Sequence, residues 1–97
     1  MTRIVVNINQ ESENWQIERF VKRIAAIVSG SNIASRLSDY SWSIDSQHNN
    51  WWLKVDGDCM VITCRQDLSI EFQVALRICF IHFCMLDHFN PKVGLQL

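Results

Sequence analysis

Between residues 15 and 29 apolar side chains return at steps of three and four. Ile17, Phe20, Val21, Ile24, Ala25, Ile27 and Val28 share one side, while Glu18, Arg19, Lys22 and Arg23 take the other. That is the period of an amphipathic helix with one face turned to a core. Glu18 stands four residues before Lys22, a favourable helical pair, and Gly30 supplies a stop. Ahead of it the polar break "NQESEN" offers Asn9 or Ser12 as a cap. Residues 3–9 alternate weakly and are rich in β-branched side chains, the pattern of a strand.

After the helix, "SNIASRLSD" reads as a short helical turn, with Ile33 and Leu37 four apart. "YSWSIDS" alternates cleanly: Tyr40, Trp42 and Ile44 point one way, Ser41, Ser43 and Asp45 the other, as in a half-buried strand. "WWLKV" then leads into Asp56-Gly57, a strong hairpin signal, with "DCMVITCR" as the return strand. A two-residue Asp56-Gly57 loop would set Val55 opposite Asp58, Lys54 opposite Cys59, and Trp52 opposite Val61. One face then carries Trp51, Leu53, Val55, Met60, Ile62 and Cys64; the other carries Trp52, Lys54, Cys59, Val61 and Thr63. Adjacent strand residues point to opposite sides, so Trp51 is expected in the core and Trp52 on the exposed face.

Residues 68–87 form the last long element, with Asp67 or Ser69 as its cap. Its length favours a helix over a strand. It is apolar around most of its circumference, more than a single sheet face can cover. Phe80, Ile81, Phe83 and Met85 are therefore the expected self-association residues. Pro91 follows, and "KVGLQL" reads as a short strand or a frayed end. The expected fold is α+β in a single domain, 1–97: leading strand, amphipathic helix, three-stranded antiparallel meander and apolar C-terminal helix. The helices should pack on one sheet face, the one bearing Tyr40, Trp42, Ile44, Trp51, Leu53, Met60 and Ile62.

Charge narrows the partners. Nine Lys and Arg against ten Asp and Glu leave a net charge of −1, no footprint for a duplex nucleic acid or an anionic membrane. The opening residues lack a signal-peptide pattern, and the apolar run 74–86, interrupted by Arg77 and His82, is too short to span a bilayer. A soluble, cytoplasmic protein is expected, with Cys59, Cys64, Cys79 and Cys84 reduced in a core.

The chemistry-bearing residues are sparse. Cys79, His82, Cys84 and His88 cluster in ten residues, but both cysteine pairs have four intervening residues where zinc sites favour two. No metal is expected. Cys59, placed opposite Lys54, is the one thiol with a cationic neighbour, yet a surface cysteine beside a solvated lysine explains it equally. Asp56 and Asp58 flank a turn glycine, which turn geometry accounts for. Phosphate cradles, nucleophile elbows and dinucleotide fingerprints are absent from the sequence. No catalytic residue, no cofactor and no enzyme activity are expected. Helix, three strands, helix is also the order of double-stranded RNA-binding domains, but "RQDLSIEF" lacks the lysine cluster that would open their second helix. Arg19, Lys22, Arg23 and Arg36 near Trp15 read as a solvated helix face.

By subtraction the sequence points to a non-enzymatic protein-binding module that inhibits or neutralises a partner such as a toxin, nuclease or effector. Immunity proteins, antitoxins and phage-encoded inhibitors are the class. Trp52, Lys54, Asp45, Asp56 and Asp58 are the expected partner-binding residues, an aromatic anchor among charges. The alternatives are a homodimeric chaperone or structural subunit associating through the C-terminal helix, and a nucleic-acid-binding accessory protein.

Overall fold

A computed structural model describes residues 1–8, 14–31, 33–46 and 49–86. In chain order its elements are β1 (Thr2–Asn7), α1 (Asn14–Ser29), β2 (Ser35–Ser38), β3 (Ser41–Asp45), β4 (Asn50–Asp56), β5 (Cys59–Cys64) and α2 (Ile70–Leu86). The strands make one antiparallel sheet in the order β1-β5-β4-β3-β2. The expected meander is present as β3-β4-β5, and β2 extends it. The leading strand closes the sheet on its far side by pairing with β5.

β2 corrects the reading of residues 31–39 as a helical turn. Ile33 and Leu37 are both exposed, so no buried stripe rewards a helix, and a single isolated turn does not repay its nucleation cost. Pairing with β3 instead satisfies the backbone, and the ladder shifts register between Arg36 and Ser38. Tyr40 is a second correction. It lies in the β2–β3 turn, 63% exposed. Its carbonyl accepts from the Val55 N–H at 2.8 Å, so its backbone serves the sheet while its ring does not enter the core.

The β4–β5 hairpin is real, but its loop is Gly57-Asp58 rather than Asp56-Gly57. Asp56 pairs with Cys59, Val55 with Met60, Lys54 with Val61, Trp52 with Thr63 and Trp51 with Cys64. Gly57 has φ +63 at the first loop position, the conformation that primed hairpin turns demand there. The slip moves each partner by two residues. Side chains repeat every two, so the expected faces survive the error.

Ile4, Ile62, Leu53 and Trp42 lie side by side across β1, β5, β4 and β3, all buried. Phe20, Val21, Ile24 and Ala25 of α1 and Leu76 and Phe80 of α2 join the same cluster. Each large side chain so enclosed contributes about 1.5–3 kcal/mol. Both helices thus pack on one sheet face, as the pattern requires. Ile27, expected on the buried side of α1, is exposed. Gly30 ends α1 at φ +75, its N–H donating to the Ala26 carbonyl at 3.0 Å. Ser69 caps α2: its hydroxyl accepts from the Phe72 N–H at 3.2 Å. The expected caps Asn9 and Ser12, and the tail from Asp87 onward, lie outside the described residues.

Candidate functional site

The helices cover one face of the sheet, and no element among the described residues covers the other. Residues that alternate with the core set turn outward: Trp52, Lys54 and Asp56 along β4, Cys59, Val61 and Thr63 along β5, Ser41, Ser43 and Asp45 along β3. Four of the five expected partner-binding residues therefore share this face. Trp52 sits at its middle, flanked by Ser43 on β3 and Thr63 on β5. Lys54 is the next outward position along β4, Asp56 the one beyond it, and Asp45 stands opposite Asn50 at the other end. Asp58 is set apart at the tip of the hairpin, where its carbonyl accepts from the Ile8 N–H at 2.7 Å.

Trp52 is half-buried because Arg65 lies over it. The guanidinium carbon is 5.5 Å from the ring centroid, within the range of a cation–π contact worth about 0.5–1 kcal/mol at an exposed site. Sequence reasoning missed Arg65. In the expected register it stood four residues past the partner of Trp52; in the observed one it is two past Thr63, the diagonal neighbour of the ring. The face therefore presents an aromatic ring with a guanidinium over it, and a lysine and carboxylates along the same strands. That composition suits interface anchors.

Cys59 corrects another expectation. Asp56, not Lys54, stands opposite it, and its Sγ lies 3.3 Å from Asn7 Oδ1 and 3.5 Å from Asp58 Oδ1. Desolvation, the hydrogen bond to Asp58 and the charges of Asp58 and Asp56 all push its thiol above the ordinary cysteine value. An electronegative setting is the opposite of what activates a nucleophile. The expectation of core cysteines holds for Cys64, which is buried; Cys59 is half-buried and Cys79 exposed. Among the described residues no three of His, Cys, Asp and Glu gather to hold a metal ion. His88 and the Cys84 side chain fall outside those residues.

Two of the basic residues of α1 and β2, Arg36 and Arg19, lie against other side chains. Arg36 pairs with Glu18 at 3.1 Å and lies over the Trp42 ring, 5.9 Å to its centroid. Arg19 lies 6.0 Å from the Trp15 centroid.

The expected self-association residues separate. Phe80 is wholly enclosed in the core and offers no surface; Phe83 packs partly against it. Ile81 is exposed, and the Met85 side chain is outside the described residues. The apolar surface of α2 lies elsewhere. Ile70, Val74, Ile78 and Ile81 recur at steps of four, four and three on the side away from Leu76 and Phe80, and all are exposed.

Two grooves border α2. One, of about 580 Å³, opens between α1 and α2 over Trp51, with Val28, Phe72 and Leu76 in its walls. Asn49, on its rim, has a buried Oδ1 without a partner in the described residues. The other, of about 260 Å³, runs between α2 and β1. No helix among the described residues is long and apolar enough to cross a membrane. No protein-family model matches the chain, and no curated protein or solved structure is found similar to it.

Proposed function

We propose that this chain is a small, non-enzymatic, cytoplasmic protein-binding module that inhibits or neutralises a partner protein by covering part of its surface, in the manner of immunity proteins, antitoxins or phage-encoded inhibitors. The observation that carries the reading is the open sheet face with Trp52 at its centre. Both helices pack on the opposite side and no described element lies over this face, which suits it to meet a flat or shallowly concave surface. Trp52 supplies apolar area, Arg65 restrains the ring before contact, and Lys54, Asp45 and Asp56 give the rim both signs of charge for register. The test is a comparison of immobilised wild-type protein with Trp52→Ala in lysate of the source cell. A stoichiometric companion held by the wild type, lost by a folded Trp52→Ala and inhibited in its own activity is the expected result. Equal capture by both proteins sinks the reading.

A second reading, a homodimeric chaperone or structural subunit, draws on the stripe of Ile70, Val74, Ile78 and Ile81. Four exposed β-branched side chains on one helix face are more apolar surface than a solitary helix gains from showing to water. Sedimentation equilibrium decides it: this reading requires a dimer that Ile78→Glu dissociates, and a monomer at 100 micromolar ends it. A nucleic-acid accessory role draws no support from the paired arginines above.

A further inference from the structure

The two edges of the sheet are built differently. β2, at one edge, is four residues long and irregular in register, features that discourage further pairing. β1, at the other, is six residues long and pairs with β5 without a bulge. The Ile8 N–H bond to the Asp58 carbonyl fixes the phase of that ladder. In an antiparallel pair, residues that exchange hydrogen bonds with one neighbour alternate with residues whose N–H and C=O point to the other side. Ile8, Val6, Ile4 and Thr2 therefore bond to β5. Arg3, Val5 and Asn7 direct their backbone groups to the open edge, where no strand of the described residues meets them.

That edge is one wall of the 260 Å³ groove. Arg3 and Val5 line it from β1; Ile70, Gln73, Val74 and Arg77 line it from the first two turns of α2. Both arginines are exposed, and neither has an acidic partner among the described residues. In a chain of net charge −1, the groove is thus locally cationic, with Ile4, Ile70 and Val74 among its lining residues and a row of backbone donors and acceptors that no described strand meets.

We propose that this groove binds an extended acidic segment of a partner protein as a sixth strand, added to the free edge of β1 and covered on its other side by α2. Main-chain hydrogen bonds from Arg3, Val5 and Asn7 hold the segment, as in other strand-addition complexes. Its side chains alternate, so apolar residues settle on Ile70 and Val74 on the helix side while carboxylates meet Arg3 on the open face, and Arg77 adds its positive charge from the helix side. The two arginines also make the edge selective: they repel basic strands and leave acidic ones favoured. The proposal rests on the protein-binding reading but uses a surface separate from Trp52.

The probe is a blocked hexapeptide alternating Val with Asp or Glu, set against the same peptide with Lys at each acidic position. Binding is followed by amide exchange and chemical shift on the full chain. The acidic peptide is expected to bind and to protect the Val5 and Asn7 amides, while those of Ile4 and Val6, already in the ladder, change little. Arg3→Glu should weaken binding by at least about tenfold and admit the Lys peptide. Val5→Pro, which removes an edge-directed N–H and no β5 bond, should weaken it comparably. Trp52→Ala should leave peptide affinity unchanged, so loss of the Trp52 reading and loss of the groove are separate results. Absence of binding, binding without edge protection, or indifference to Arg3→Glu overturns the proposal. So does edge protection without peptide, which identifies a second copy as the occupant where it rises with protein concentration and the chain itself where it does not.

Discussion

Trp51 and Trp52 are adjacent in β4 and lie on opposite faces of the sheet. Trp51 is 4% exposed in the core beside Ile44 and Cys64, while Trp52 lies outward beneath Arg65. Removing the first ring leaves a cavity under both helices; removing the second trims a surface. Trp51→Ala should cost roughly 3–5 kcal/mol of stability. Trp52→Ala should cost only about 1 kcal/mol, including its cation–π contact. Equilibrium urea unfolding of the two variants measures the difference, and equal losses would contradict the assignment of faces.

Thr2 ties the start of β1 to the approach of α2. Its hydroxyl donates to the Gln66 carbonyl at 2.7 Å and accepts from the Leu68 N–H at 2.8 Å, and the residue is buried. Thr2→Val keeps the shape and removes both bonds, orphaning a partly buried donor and acceptor at a cost of about 1–3 kcal/mol. Thr2→Ser should lose much less. Faster exchange of the Leu68 amide in Thr2→Val alone is the local signature.

The three described thiols differ in access and environment. Alkylation at neutral pH should modify Cys79 first, Cys59 slowly, and Cys64 only on unfolding. Cys59 should gain reactivity only at a pH above that of an ordinary thiol, because its pKa is raised. The same shift has a consequence for stability. Above the ordinary thiol pKa the unfolded chain ionises at this position while the folded chain keeps its proton. Stability therefore falls as pH rises from the ordinary value through the raised one. Cys59→Ser should flatten that part of the pH–stability curve; an unchanged alkaline decline would refute the assignment.

Gly57 occupies a positive-φ position with open space where a Cβ would lie. Only backbone conformation opposes a substitution there. Gly57→Ala should cost about 1 kcal/mol, and Gly57→Asn distinctly less, since asparagine tolerates the left-handed region. Thermal unfolding of the pair would show that order, and a reversal would mean that the loop does not hold this geometry.

Which parts of this architecture were written locally follows from the periods. The step of three and four in α1 and the alternation in β3, β4 and β5 name the buried face of each element, because a side chain's direction depends on its own backbone alone. Even the two-residue slip of the hairpin left Trp51 inside and Trp52 outside. Neighbour relationships are another matter. Arg65 over Trp52 depends on the loop being Gly57-Asp58, and Asp56 beside Cys59 depends on the same register.

The strand nature of β2 was not legible because its spacing of Ile33 and Leu37 fits a helix turn as well, and only the free edge of β3 decides between them. Phe80 was assigned to an outer surface because α2 is apolar on nearly every side. A uniform helix carries no local mark of which stripe meets the sheet. The amino-acid sequence by itself determined every element but β2, the inward faces of α1, β3, β4 and β5, and the near-neutral charge, since these depend on local residues. Only the tertiary structure decided that β1 closes on β5 with no described strand on its far edge, that Arg3 and Arg77 line one groove, and that Trp52 lies beneath Arg65. Each of those joins residues far apart in the chain, and strand order and register, not composition, bring them together.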